Sequence, residues 1–234
     1  MGCTNPPITQ QWDDRIDGPL LIPTPGSMDY EGDLRREFRR RAVINHACKH
    51  SAEIRAQVYA ICAADFWFWF GTFCWVHHPK TGRVPALAWP CLEGPLACYL
   101  GLDGWTLPSG ALQPMVWAKS REVGASVLCV AASTWGFLFH ERSYVFVSRR
   151  KADVDSGRFV FGSSLMSKAR AFITQQPKWL RPGPWKRTPR PRFYDSNMIL
   201  TLPDSQGMLM GTSTTADAAR SLRVDRVYVD EAAF

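Results

Sequence analysis

The chain has 234 residues, of which 46% are hydrophobic and 21% charged, and this composition excludes a low-complexity or fully disordered polymer. Lys and Arg together exceed Asp and Glu by seven, which favours a polyanionic partner such as nucleic acid without fixing the fold. Seven cysteines are spread along the chain without a C-x-x-C pair, a pattern typical of a reduced, intracellular protein. The most hydrophobic stretch, residues 56–76, carries Asp65 near its middle, so we expect it to be buried in a globular domain and predict no membrane partner.

The first 60 residues are predicted to form an N-terminal arm and a basic helical extension. Residues 1–30 are rich in Pro and Gly and lack periodicity, which indicates an extended arm. Residues 29–60 have helical periodicity. His46 and His50 would share one face of that helix, and a solvated polar face is favoured over a metal site there. Five arginines in this segment either contact phosphates or form a solvated helix face: Arg35, Arg36, Arg39, Arg40 and Arg41.

An aromatic segment follows at residues 65–75. Seven of its eleven positions are Phe or Trp and no basic residue is interleaved, so packing in a core is favoured over a platform for stacking bases. Residues 77–82 predict a turn, and residues 84–88 predict a short strand.

The centre of the chain contains a variant of the phosphate-binding loop G-x-x-x-x-G-K-[ST]. Gly124 and Ser126 occupy the second Gly and the hydroxyl positions, Ala125 replaces the Lys, and Lys119 stands where the first Gly would be. A predicted strand at residues 115–118 precedes the loop and a predicted helix at 126–139 follows it, which is the context that lets a helix N-terminus face an anion. The candidate nucleotide-binding residues are Lys119, Ser120, Arg121, Glu122, Val123, Gly124, Ala125 and Ser126.

The second half of the chain predicts an α/β layer with parallel strands. A strand at residues 143–148 and a helix at 164–176 alternate in the expected manner, and two strands at 198–202 and 207–211 are joined by a turn. Residues 177–192 are rich in Pro, basic residues and Trp, and are either a contact for a nucleic-acid backbone or a plain surface loop.

An apolar strand at residues 227–229 ends in two adjacent carboxylates, Asp230 and Glu231. Taken alone, such a pair is a common acidic cap. In an NTPase, Asp230 would hold Mg²⁺ and Glu231 would orient and deprotonate the attacking water. The presence of a phosphate loop earlier in the chain favours this second interpretation.

From about Asp65 to its last residue, the chain resembles the ATPase region of the large terminase subunit of tailed bacteriophages. In that family the loop Lys can stand at the front of the phosphate loop. The residues that carry the resemblance are Lys119-Ser120-Arg121-x-x-Gly124-x-Ser126, the aromatic stretch 65–75 followed by Pro79, Ser148-Arg149-Arg150, Pro177-x-Trp179-Leu180, Gly211-x-Ser213-Thr214-Thr215-Ala216-Asp217 with Arg220, and Val229-Asp230-Glu231-Ala232-Ala233-Phe234.

The resemblance implies a P-loop NTPase fold of the ASCE type, with a mainly parallel sheet flanked by helices, over residues 61–234. It implies ATP and Mg²⁺ as cofactors, with Lys119 on the phosphates, Ser126 and Asp230 on the metal, Glu231 as catalytic base and Arg220 or Arg121 as arginine finger. It also implies double-stranded DNA, a portal protein and a small terminase subunit as partners, a homo-oligomeric ring, and the host cell cytoplasm as location.

Two departures from the family accompany the resemblance. Leu92 stands where the family often has a Gln that reads adenine, so the choice of base stays open. The chain ends at Phe234, just past the acidic pair, so we expect a sheet that is incomplete at its C-terminal end, no nuclease domain and little turnover from this chain alone. A helicase-like nucleic-acid ATPase and a non-catalytic DNA-binding module with a decayed loop remain alternative functions.

Overall fold

A computed structural model of the protein describes residues 30–78, 82–85, 124–156, 164–181, 194–196, 198–202, 206–213 and 223–230. Contacts divide the chain into two compact units, residues 1–88 with 175–180 and residues 89–174 with 181–234. The first unit therefore runs past residue 60, where the sequence analysis ended the N-terminal extension. The assignment of residues 61–234 to an ATPase domain stays a prediction.

Three helices account for most of the described part of the first unit. Helix α1 spans Tyr30–His50, α2 spans Ala52–Ala64 and α3 spans Phe66–Phe73. The helical pattern predicted over residues 29–60 is thus divided at Ser51, whose hydroxyl accepts a hydrogen bond from the Ile54 N–H at 3.2 Å. A serine in this position starts a new helix because it satisfies an amide that has no partner within the helix.

Asp65 separates α2 from α3 and explains the charge in the middle of the most apolar stretch. Its Oδ1 accepts hydrogen bonds from the N–H groups of Trp67 at 2.8 Å and Phe68 at 3.1 Å. The carboxylate therefore caps the N-terminus of α3, where the helix dipole also favours a negative charge. Among the described residues, no helix combines the length and the apolar character needed to cross a membrane.

The aromatic segment forms the core of this unit, as its composition predicts. Phe66, Trp69, Phe70 and Phe73 are buried, and the rings of Phe66 and Phe70 stack with centroids 5.4 Å apart. Trp179, from the segment 175–180 of the same unit, packs edge-on against Phe73 at 5.7 Å. Because these faces are covered by other side chains, the four buried rings are not available as a platform for stacking bases.

Two of the five arginines in the basic run on α1, Arg40 and Arg41, fit neither interpretation, whereas Arg39 is exposed, as a solvated helix face predicts. Both side chains are buried, and their guanidinium groups donate hydrogen bonds to the Gly71 carbonyl at 2.9 and 2.6 Å. Arg40 also donates to Thr72 Oγ1 at 2.7 Å, and Arg41 to the Cys74 carbonyl at 2.8 Å. These acceptors lie at the C-terminal end of α3, where helix carbonyls lack partners and the dipole favours cations. The two arginines therefore tie α1 to α3; they neither contact phosphates nor form a solvated face.

A β-hairpin completes the described part of the first unit. Strand β1 spans Trp75–His78 and β2 spans Gly82–Pro85, and the two pair antiparallel with His78 opposite Gly82. Residues 77, 78 and 82, predicted to lie in a turn, therefore belong to the strands. The strand predicted at residues 84–88 begins two residues earlier, at Gly82. Cross-strand pairing extends the ladder into residues whose individual propensities favour a turn.

The second unit contains a five-stranded mixed sheet with the strand order β4-β5-β6-β3-β7. The strands are β3 (Tyr144–Ser148), β4 (Tyr194–Ser196), β5 (Ile199–Thr201), β6 (Met208–Ser213) and β7 (Arg226–Val229). The central strand β3 pairs in parallel with both β6 and β7, whereas β4, β5 and β6 pair antiparallel in sequence. The parallel part predicted from the alternation of strands and helices is present, and it carries an antiparallel extension on one side.

Three helices accompany this sheet in the described part of the chain; two begin close to where the sequence predicts, and the short helix between them was not predicted. Helix α4 spans Ala125–His140, α5 spans Lys151–Val154 and α6 spans Leu165–Gln175. Twelve residues of α4 are buried, so this helix is enclosed on most sides. Its buried hydroxyls on Ser133 and Thr134 donate to carbonyls four residues earlier, at 2.8 and 2.7 Å, which removes the cost of burying them.

Candidate nucleotide and metal site

Gly124 begins helix α4 in a conformation that favours glycine. Its φ is 83° and its ψ is 0°, in the left-handed region, and its carbonyl accepts the first helical hydrogen bond from the Leu128 N–H at 3.0 Å. This turn brings the chain directly into a buried helix whose second residue is Ser126. The first-turn amides, which have no partner within the helix, and the positive end of the helix dipole therefore lie beside the Ser126 hydroxyl.

Asp230 is held at the carboxyl end of β7 by a continuation of the parallel ladder. Its backbone N–H donates to the Val147 carbonyl of β3 at 2.8 Å, one residue beyond the end of the strand. Alternation along a strand places Tyr228 and Asp230 on the same face of the sheet. The ladder thus fixes the position of the carboxylate through the backbone.

Ser126 and Asp230 meet, although 104 positions separate them in the chain. The Ser126 hydroxyl donates to the two carboxylate oxygens of Asp230, at 3.0 and 3.1 Å. The Tyr228 hydroxyl lies 2.9 Å from Asp230 Oδ1 and 3.2 Å from Ser126 Oγ. The three side chains therefore form one hydrogen-bonded cluster between the start of α4 and the end of β7.

The electrostatics of this cluster follow from its partial burial. Burial raises the pKa of Tyr228, and the neighbouring Cys129 thiol and Asp230 carboxylate raise it further, so the phenol keeps its proton. Lys168 of α6 lies close enough to respond to Asp230: burial lowers the pKa of its ammonium group, and the carboxylate partly opposes this by favouring the charged form. A half-buried cation thus belongs to the surroundings of Asp230.

The oxygen atoms of Ser126 and Asp230 suit a magnesium ion. A hydroxyl and a carboxylate are the hard oxygen donors that Mg²⁺ prefers, at about 2.1 Å in an octahedron, so neighbouring ligands lie about 3 Å apart. The Ser126 Oγ lies 3.0 and 3.1 Å from the two oxygens of Asp230, which matches that separation. Within the described ranges, no group of three or more His, Cys, Asp or Glu side chains could hold a metal ion. A metal here would therefore need additional ligands from water, from phosphate oxygens or from other parts of the chain.

The remaining predicted site residues lie outside the described residues. These are Lys119, Ser120, Arg121, Glu122 and Val123 of the loop, Arg220, Glu231 and Leu92. The basic segment 177–192 is described only through Arg181. In that part Lys178 is exposed, Leu180 is buried, and the Arg181 guanidinium donates to the Thr174 carbonyl within the second unit.

Tyr228 and Lys168 are two members of the site that the sequence analysis did not single out. Tyr228 is detectable in principle, because a residue two positions before an acidic strand end must share its face. Lys168 carries no comparable signal, since a lysine within an amphipathic helix ordinarily faces solvent.

His46 and His50 share a helix face as predicted, with ring centroids 4.6 Å apart, and both side chains are exposed. In the described part of the chain, no third side chain joins them to form a group that could hold a metal ion.

Comparisons of the whole sequence with protein-family models and with curated proteins return no match.

Proposed function

We propose that this protein is a P-loop ATPase of the ASCE type, and that it serves as the motor subunit of a terminase that drives double-stranded DNA into a phage procapsid. The observation that carries the proposal is the contact between Ser126 and Asp230 at 3.0 Å. Ser126 lies in the first turn of a buried helix that follows a left-handed glycine, and Asp230 directly follows a strand in the parallel part of the sheet. A nucleotide-bound Mg²⁺ requires a hydroxyl and a carboxylate in these two structural positions.

The proposed roles are those that the resemblance implies, and each fits the chemistry of phosphoryl transfer. Ser126 and Asp230 would hold Mg²⁺, which supplies charge neutralisation on the phosphates when it is bound. Lys119 and the loop amides would bind phosphate oxygens, and Glu231 would accept the proton of the attacking water. Arg220 or Arg121 would supply positive charge to the transition state, for which an arginine finger is typically worth about 10³ to 10⁵ in rate.

The proposed partners follow from the resemblance and from the positive net charge of seven. They are double-stranded DNA, a portal protein, a small terminase subunit and further copies of the chain in a ring, within the host cell cytoplasm. Contact with DNA would be made to phosphates without reading sequence, so we expect it to weaken steeply as salt increases. Arg40 and Arg41 are excluded from that contact because their guanidinium groups are engaged with α3.

The first test is binding of a fluorescent ATP analogue to the full chain, with and without Mg²⁺. We expect Mg²⁺-dependent binding, and we expect Ser126→Ala and Asp230→Asn each to remove the Mg²⁺ dependence. Ser133→Ala is the matched control, because it deletes a serine hydroxyl from the same helix whose hydrogen bond goes to the Cys129 carbonyl. Equal Mg²⁺ dependence in all four proteins would overturn the proposal.

The second test concerns hydrolysis and the type of motor. Glu231→Gln should abolish ATP turnover while sparing nucleotide binding, because it removes the base and leaves the metal ligands. Stimulation by single-stranded DNA together with strand separation would assign the protein to the helicase type. DNA binding without any nucleotide binding would identify a non-catalytic module.

A further inference from the structure

We propose that Tyr228 is a positioning residue of this site, whose hydroxyl holds the Asp230 carboxylate in the orientation that accepts a metal-bound nucleotide. The inference rests on the proposed function, since it assigns a role within the same metal site. Tyr228 lies two positions before Asp230, and the proposed role requires no contact between Tyr228 and the nucleotide.

The hydrogen-bond distances support this role. An ionised carboxylate only accepts hydrogen bonds, whereas a serine and a tyrosine hydroxyl carry one proton each. Two such protons are available to Asp230: one from Tyr228 at 2.9 Å and one from Ser126, shared between both oxygens at 3.0 and 3.1 Å. If the Ser126 oxygen turns to another partner, the Tyr228 hydrogen bond still fixes the carboxylate.

Packing holds the Tyr228 ring in place. Its centroid lies 6.4 Å from that of Phe146, in an edge-to-face arrangement, and Phe146 is fully buried on β3. The β3–β7 register places these two residues directly opposite each other. A ring fixed by a buried neighbour delivers its hydroxyl to one location, so the orientation of Asp230 depends on the sheet core as well as on the strand end.

A partner that orients a metal ligand in this way typically contributes about 10- to 100-fold to metal affinity. We therefore expect Tyr228→Phe, which deletes the hydroxyl and keeps the ring, to weaken Mn²⁺ binding about 10- to 100-fold in the presence of a non-hydrolysable ATP analogue. Binding of the analogue in EDTA should not change. Mn²⁺ is the probe because its electron paramagnetic resonance signal reports metal occupancy directly, independently of turnover.

Tyr144→Phe is the matched control, because it removes another buried tyrosine hydroxyl from the same sheet, beside Gly136 and not at Asp230. Thermal unfolding of each variant identifies any loss of fold.

The outcomes separate the two proposals. If the wild type binds Mn²⁺ with nucleotide and Tyr228→Phe binds Mn²⁺ with the same affinity, the positioning role is overturned. The proposed function then still stands. Wild-type protein that binds no metal–nucleotide complex overturns the proposed function, and the positioning role with it.

Discussion

The buried ion pair between Arg170 and Asp155 offers a direct test of the fold. Arg170 of α6 donates from Nη1 and Nη2 to the two carboxylate oxygens of Asp155, each at 2.8 Å. The side chains are 9% and 0% exposed. Asp155 Oδ2 also accepts a hydrogen bond from the Met198 N–H at 2.8 Å, at a position where φ is 62°. The pair therefore joins α6, the end of α5 and the turn that begins β5.

Removing one partner of such a pair leaves a buried charge without compensation, which costs about 3–5 kcal/mol. Arg170→Met keeps the apolar stem and removes the charge, whereas Asp155→Asn keeps an acceptor for the Met198 N–H. For a protein of this size, about 3–5 kcal/mol corresponds to a decrease in Tm of roughly 6–20 °C. The double variant should recover much of the loss, because both charges are then absent.

A second pair on α5 is the matched control. Arg150 and Asp153 are joined at 2.9 Å, nearly the same distance, but their side chains are 75% and 33% exposed. Solvent screens such a pair, so Arg150→Met and Asp153→Asn should show little coupling. The assay is a double-mutant cycle for each pair, measured by urea unfolding and circular dichroism. Equal coupling in the two cycles would refute the reasoning that burial sets the strength of these pairs.

Three further predictions follow from individual residues. Gly136→Ala should destabilise the protein by about 1–3 kcal/mol in urea unfolding, because the new Cβ would lie 2.0 Å from the Tyr144 hydroxyl, and Tyr144→Phe should relieve part of that loss. Gly124→Ala should cost about 1–2 kcal/mol because of the positive φ, and Gly124→Asn should cost less. Burial raises the pKa of the Cys48 thiol from 9.0 to about 11, so this thiol loses its proton at a lower pH in the unfolded state than in the folded state. The free energy of unfolding of the wild type, relative to that of Cys48→Ala, should therefore decrease between pH 9 and pH 11. A difference that stays constant over this pH range would contradict the prediction.

Strongly patterned elements could be predicted from the sequence. The helix expected at residues 126–139 is Ala125–His140, and the strand expected at 143–148 is Tyr144–Ser148. The helix expected at 164–176 is Leu165–Gln175. These segments combine a continuous apolar pattern with clear boundaries such as Gly124, so local preference and tertiary packing agree.

Features that depend on distant residues could not be predicted. Arg40 and Arg41 read as surface charges because an arginine is normally exposed, and the carbonyls that engage them lie about 30 positions later in the chain. The hairpin of β1 and β2 extends into residues with turn propensity because the strands pair with each other. For the two arginines the deciding partner lies far along the chain. For the hairpin it is the opposite strand.

In the candidate site, too, some residues could be predicted from the sequence and others could not. Motif positions identify Ser126 and Asp230 as candidates, and the structure brings Ser126 Oγ to 3.0 Å from Asp230 Oδ1. Their proposed metal role stays a prediction. Tyr228 and Lys168 belong to no motif, because a motif records residue types at fixed spacings, whereas their relation to Asp230 depends on which face of β7 and α6 is covered.

The parallel pairing of β3 with β7 has a consequence for the order of folding. Tyr144 of β3 pairs with Arg226 of β7, 82 positions later in the chain, so these strands can align only after the intervening chain has closed a long loop. Non-local parallel pairings of this kind form late, because the entropy of loop closure must be overcome before the contacts form. We therefore expect partly folded chains to lack the cluster of Ser126, Tyr228 and Asp230 altogether. Any ligand of that cluster would bind only the completed sheet and would shift the folding equilibrium towards it.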